Sequence, residues 1–366
     1  MRFLEVFGEV PDPRDFTSVH KLPEILFVTF AAMLCGAVHC TEFAVFGKAR
    51  LELLRQFVPL EGGIPSHDTF GRVLAALDPA ATEAAFKAFM ADFGKQARID
   101  APRQVALDGK SLRRAYAKGC AHMPPLVVTV FGCDTFMSLA QTVAQAGGET
   151  EAAIAAINLL SLKGLIVTAD ALHCHRRMTR TIRERGGDYV LAIKGNQSNL
   201  AKQANAALDQ AARKQTTRFH QSEDTAHGRH EVRRAFVTAF AQTPGKNALV
   251  DLRAVARVES WRTIDGKTTH KVRCYALSRR MTAQNLLAAV RNHWAIENQL
   301  HWQLDVMLGE DTARSRKNNV PIILATLRRL LLNVLRAAPE KIPLRHKQLK
   351  AMWNDNELLT LFTHMR

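Results

Sequence analysis

"VALDGKSLRRAY", residues 105–116, decides how this chain is read. Small and apolar residues run into one aspartate, Asp108, and a basic turn follows with Lys110, Arg113 and Arg114. A short apolar run bounded by turn-forming residues reads as a buried strand. An aspartate that only capped a helix would not need that run before it. The stretch therefore predicts a strand over 104–108 that ends by presenting a carboxylate beside cations.

The chain downstream repeats the device. "PLVVTVFG" (125–132) and "MSLAQTVA" (137–144) predict two more strands, joined tightly through Cys133, Asp134 and Thr135. "ETEAAIAAINLLSLKG" (149–164) predicts an amphipathic helix closing on Gly164. "LIVTAD" (165–170) is a strand ending on a second acid, Asp170, and "CHRRMTRTIRERGG" (174–187) is a basic helix. "DYVLAIK" (188–194) is a strand. The order β-β-β-α-β-α-β contains two β-α-β steps. Those require parallel strands with helices packed on the sheet, so the class is α/β. Acids at the carboxyl ends of such strands lie where open sheets bind ligands.

Around this core the pattern changes. Residues 1–98 predict a helical domain, with "LPEILFVTFAAMLCGAV" as a buried helix and Ser66 as an N-cap; "RIDAPR" (98–103) is a linker. Residues 99–214 form the first part of the core and end in a polar helix. Residues 215–279 predict a β-rich insertion of antiparallel strands with a hairpin turn at Asp265-Gly266. Residues 280–340 are helical again, with one helix over 282–308, and 341–366 read as a tail.

The third acid belongs on that helix. Val290, Trp294, Glu297, His301 and Leu304 share one face by three- and four-residue spacing. Trp294 and Trp302 read as core rather than as stacking platforms. A carboxylate on an otherwise apolar or aromatic stripe must be paired, protonated or bound to metal. Each acid alone also fits a cap, a turn or a salt bridge; the three together carry the argument. Converging carboxylates repel one another, and hard divalent cations relieve this. Two such cations can activate an attacking oxygen and stabilise the leaving oxygen of a phosphodiester.

The composition fits a polyanionic partner. Fifty Lys+Arg against 34 Asp+Glu give a net charge of +16, on a chain that is 47% hydrophobic and therefore globular. Lys110, Arg113 and Arg114 flank the first acid. Arg176, Arg180 and Arg183 form a basic stripe after the second. Lys194 ends a strand, and Arg229 and Arg233 enter the insertion. The six cysteines form no CxxC pair, and no signal peptide is visible, which together predict a cytoplasmic protein. The apolar run from Ile25 to Val38 is too short to span a bilayer. His173, Cys174 and His175 lack a second cluster for a soft-metal site. His220, His227 and His230 read as a solvated loop rather than a zinc site. Gly109-Lys110-Ser111 lacks the upstream glycine of a nucleotide loop.

"VALDGKSLRRA", "GLIVTADALHCH", "YVLAIKGNQ", "HGRHEVRR" and "HWAIENQLHWQLDVMLGEDTARSRKNN" resemble the DDE-type transposases of bacterial insertion sequences, in the ISAs-type branch that includes the H-repeat-associated proteins. The resemblance covers nearly the whole chain. It implies a ribonuclease-H-like catalytic core with a helical N-terminal domain that binds DNA and a β-rich insertion. It implies that Asp108, Asp170 and Glu297 form the catalytic triad and hold Mg2+, with Mn2+ as a substitute. The expected reaction is hydrolysis of the 3′-end phosphodiester at each transposon end, then attack of the freed 3′-hydroxyl on target DNA, without a covalent protein intermediate. The expected partner is double-stranded DNA, both ends and target, bound by at least a homodimer in a bacterial nucleoid. Around the Glu, the family's Tyr, Arg and Lys positions hold Val290, His293 and Leu304 here, which leaves His293 and the neighbouring Arg291 as phosphate contacts. A catalytically inactive DNA-binding relic and a metal-dependent nuclease that does not transpose fit the same residues.

Overall fold

The computed structural model describes residues 2–14, 18–97, 101–115, 124–144, 148–226, 228–363 and 365. Its first six elements are helical: α1 (Arg2–Gly8), α2 (Leu22–Leu34), α3 (Cys40–Ala49), α4 (Leu51–Leu54), α5 (His67–Ala76) and α6 (Pro79–Gln96). Helix α2 is apolar on every side and is buried at every position but Pro23, which is the form such a helix must take. Its one carboxylate, Glu24, is satisfied by the backbone N–H of Leu60 at 3.1 Å. Ser66 caps α5 by accepting from Thr69 N at 3.2 Å, as its place in the sequence predicts. Part of the expected linker, 98–100, lies outside the described residues.

The core follows the predicted order: β1 (Gln104–Ser111), β2 (Leu126–Gly132), β3 (Ser138–Ala144), α7 (Glu149–Asn158), β4 (Ile166–Ala169), α8 (Arg176–Glu184), β5 (Asp188–Ile193) and α9 (Ser198–Arg213). Strands β1, β4 and β5 are parallel, while β2 and β3 run antiparallel beside β1. The class is mixed α/β, with the core strands in the order β3-β2-β1-β4-β5. One boundary differs. β1 does not end at Asp108 but continues to Ser111, because β2 pairs with it along its whole length, Asp108 facing Thr129.

Four more strands follow: β6 (Arg218–Ala226), β7 (Arg229–Ala239), β8 (Ala254–Ile264) and β9 (Lys267–Leu277). They continue the core sheet. β9 pairs antiparallel with β5, giving one nine-stranded sheet in the order β3-β2-β1-β4-β5-β9-β8-β7-β6. This pairing satisfies the open backbone edge of β5. Asp265 and Gly266 turn the β8–β9 hairpin with φ of 48° and 74°, as the dipeptide predicts. The polar stretch expected as a loop before 229 is instead β6; as an edge strand it keeps its polar side chains in solvent.

The expected single helix over 282–308 is broken. α10 (Ala283–His293) stops at Trp294, a π-helical segment covers Ile296–His301, and α11 (Trp302–Val306) resumes. α12 (Val320–Ala337) then crosses the sheet. The 341–366 segment expected as a tail holds α13 (Leu344–Trp353) and α14 (Asp355–Thr363). Phe362 packs on Phe27 and Phe57, each at 5.1 Å between ring centroids, so α14 closes the core of the N-terminal helices.

Strand alternation assigns the two sheet faces. Val105 and Leu107 join the core beneath α7, α8 and α9, whereas Ala106 joins the core of the N-terminal helices and α12. Polar side chains pin α12 to the second face. The fully buried Arg329 donates to Thr129 Oγ1 at 3.1 Å and to Glu310 Oε1 at 3.2 Å, and Asn333 bonds both the N–H and the carbonyl of Ser138. No helix among the described residues is long and apolar enough to cross a membrane.

Candidate active site

Asp108 shares the face of Ala106, two residues earlier, and so points toward the segment 296–306. Asp170 follows β4 directly, one strand over, and its Oδ1 accepts from Leu172 N at 2.8 Å, capping the short turn Ala171–His173. Glu297 comes from the π-helical turn, the wide kind of turn that recurs at functional sites. Three different elements thus bring Asp108, Asp170 and Glu297 to one cleft of about 490 Å³, with Lys194, Lys271, Arg273, His293 and Trp294 on its walls.

The geometry is tightest around His301, which the sequence placed on the Glu297 stripe without a role. Its Nδ1 lies 3.0 Å from Glu297 Oε2 and 3.7 Å from Asp108 Oδ2. Its ring is buried, and Nε2 has no hydrogen-bond partner among the described residues. Burial raises the Asp108 carboxyl above its usual range; Asp170 and Glu149 push the same way, against the opposing His301 and the Gly109 N–H. The hydrogen bond from His301 lowers the Glu297 carboxyl despite partial burial. One carboxylate is therefore held ionised beside another whose charge is opposed by burial and neighbouring acids.

These donors fit a divalent cation. Single ligand atoms of Asp108, Glu297 and His301 all lie within 4.8 Å of one another. Two carboxylates with Asp170 nearby are the oxygen-rich set that hard cations prefer, and one imidazole widens the choice toward manganese. The charge on Asp108 that burial and the neighbouring acids oppose is what a cation would neutralise.

The structure redistributes the expected basic contacts. Lys110 is not free to hold a phosphate: it is only 7% exposed and pairs with Asp305 at 2.8 Å and Asp311 at 3.2 Å. β1 runs on through residue 110 and carries the ammonium inward on the same face as Asp108. His293 is not a cationic contact either, because burial pushes its pKa down to about 4; its Nδ1 lies 3.1 Å from Thr168 Oγ1. Arg113 and Arg114 are exposed just past β1, Arg113 lying 3.4 Å from Asp311. Lys194 is exposed on the wall of the cleft. Arg176 and Arg180 are not brought to it. Arg176 donates to the carbonyl of Ala248 at 3.0 Å, Arg183 pairs with Asp188 and Asp251, and Arg180 points to solvent from the same helix.

Arg229 and Arg291 line a second cleft of about 470 Å³, together with Arg233, Arg262, Lys271 and Arg273. Lys271, Arg273, Tyr275, Val290 and Trp294 line both clefts, so the two are continuous. Lys271, Arg273 and Tyr275 stand at alternate positions of β9, a period-two signal that could have marked them in the sequence. The tryptophans differ from expectation. Trp294 is 46% and Trp302 54% exposed, because the break after His293 and the wide turn rotate them away from the core. The Arg273 guanidinium lies 5.4 Å from the Trp294 ring centroid.

Of the weaker candidates, His173 and Cys174 are buried, and burial pushes the Cys174 thiol up to about 12. His175 caps α8 by accepting from Met178 N at 3.2 Å. His230 faces Glu223 at 2.7 Å across the β6–β7 pair, and His227 lies outside the described residues.

This chain resembles known proteins along most of its length. The family model described as "Transposase DDE domain" matches residues 100–334, and that described as "DDE_Tnp_1-associated" matches residues 4–90. The chain is 31% identical to "H repeat-associated putative transposase YhhI" of Escherichia coli (strain K12), covering 98% of this chain and 97% of that one. It is also 31% identical to "Putative protein YbfL" of the same strain, with the same coverage. Among solved structures, the piggyBac transposase synaptic complex with hairpin DNA aligns over 100% of this chain and 75% of its own, at 10% identity and a TM-score of 0.44.

Proposed function

The chain belongs to the transposase DDE-domain family, and from that premise we propose that it cuts the phosphodiester at the ends of a mobile DNA element and joins the freed 3′-hydroxyls to target DNA. The observation that carries this reading is the convergence of Asp108, Asp170 and Glu297, from three separate elements, on a cleft that opens into an arginine-lined groove. Mg2+ is the proposed cofactor, with Mn2+ as substitute, held by the three carboxylates with His301 close by. When bound, divalent cations supply activation of the attacking oxygen and stabilisation of the leaving one.

The protein's own groups have separable tasks. His301 holds Glu297 ionised and aimed at Asp108. Lys194, Arg113, Arg114, Arg229 and Arg291 contact phosphates, joined by Lys271 and Arg273 from β9. Trp294 and the guanidinium above it offer a flat surface to a base. Arg176 and Arg180, on the other face of the sheet, would serve only DNA that wraps around the edge. The helical block 1–98 is proposed to bind the element's ends, and two ends require at least a dimer on DNA. The setting proposed is the bacterial nucleoid.

The test uses labelled DNA carrying the gene's own flanking sequence, with Mg2+ and either wild type or Asp170→Ala. Cleavage at one defined position followed by strand joining, both lost in the variant while binding persists, is the expected result. Binding without cleavage in Mg2+ and in Mn2+ identifies a relic instead. Cleavage at scattered positions without joining identifies a nuclease.

A further inference from the structure

The triad does not use every carboxylate at this sheet edge. Glu149 opens α7, on the face of the sheet opposite Glu297, yet its carboxylate is among the charges that raise Asp108. Gly109 explains the approach. A side chain there would place its Cβ 2.8 Å from Glu149 Oε1, so the strand has no side chain where the Glu149 carboxylate lies over it. Behind Glu149 stands His173, only 1% exposed. Its Nε2 is 3.6 Å from Glu149 Oε1, and neither ring nitrogen has a hydrogen-bond partner among the described residues.

A first-turn glutamate has an ordinary role, since it complements the partial positive charge of a helix N-terminus. That role needs neither a bare backbone under the carboxylate nor a buried imidazole left unsatisfied behind it. An orphaned buried polar group is costly, and such groups persist mostly where a site asks for them. We propose that Glu149 is a fourth carboxylate of the cation site, reaching Asp108 from the opposite face of the sheet, with His173 as its positioning residue. This rests on the reading of Asp108 as a cation ligand. A cation shared by Asp108 and Glu149 would fix the glutamate in place, and His173 would donate to its Oε1, the oxygen nearest the ring.

Mn2+ binding to the full-length protein, followed by electron paramagnetic resonance without DNA, tests this apart from catalysis. Glu149→Gln is expected to weaken binding by about tenfold or more, the scale seen when a group around a metal is lost. Gly109→Ala should do the same while leaving the carboxylate in the chain, because its methyl displaces it. His173→Gln should weaken binding in the wild-type background and add nothing to Glu149→Gln, since a positioning residue acts only through its partner. Melting curves in chelator verify that each variant folds. Isotherms of Glu149→Gln and Gly109→Ala that overlay wild type, while Asp108→Asn loses binding, would overturn the inference and leave the triad standing. Unchanged binding by Asp108→Asn would instead remove the cation site on which it rests.

Discussion

At the scale of single residues, Asp108 is a carboxylate whose charge the fold opposes. Its carboxyl is raised by burial and by neighbouring acids, so the folded protein holds that proton more tightly than the unfolded chain does. The stability this contributes is complete below the ordinary carboxylate range and is lost as pH rises through the elevated folded value. Above that value and without metal, the Asp108 charge is therefore a burden. Asp108→Asn should melt about 2 °C or more above wild type in chelator, and the gap should shrink when Mg2+ is added. An equal or lower melting point for the variant would contradict the account. His301 is the complementary case, because it holds Glu297 in place. His301→Ala should reduce strand cleavage by about 10- to 100-fold, the scale for groups that orient a metal ligand, with DNA affinity in a gel-shift assay unchanged. The three acids were legible because each follows an apolar run or interrupts an apolar stripe, patterns set by neighbours within a few positions. The fate of Lys110 was not, since its partners Asp305 and Asp311 lie 195 and 201 residues away.

At the scale of elements, the period-two and period-3.6 patterns located all five core strands and the helices between them. They missed β6 because an edge strand buries little, and its side chains obey no apolar alternation. They missed the π-helical turn because one extra residue in a turn hardly alters a periodicity averaged over a long window, though it decides which way Glu297 and the two tryptophans point. The polar attachment of α12 to β2 was also invisible, made as it is by a buried arginine. Arg329 touches Thr129, the residue opposite Asp108 in the ladder, and Glu310. Arg329→Met should destabilise the fold by about 3–5 kcal/mol, because it strands a buried carboxylate. Adding Glu310→Gln should recover part of that loss in urea denaturation. If the single and double variants unfold at the same urea concentration, the pair is not the clamp described here.

At the scale of the whole molecule, the net charge of +16 gave no hint of where the cations gather, because charge counts carry no position. The fold collects them by extending the core sheet through β9, so that Lys271 and Arg273 border both clefts. If these two residues contact phosphates, changing both to alanine should flatten the dependence of log K on log[salt] by about 0.9 per lost contact. Binding should weaken to all duplex sequences alike, as read by fluorescence anisotropy across a salt series. An unchanged slope would move the DNA path elsewhere. The layer of helices on one face was equally hidden, since nothing local in residues 341–366 says that they pack against residues 22–34. That closure has a genetic corollary. A nonsense codon at position 361 or 362 would spare every group in the cleft yet strip Phe362 from Phe27 and Phe57. Such a copy would be silenced by proteolysis of a half-open core, and would look intact to anyone inspecting its reading frame for the three acids.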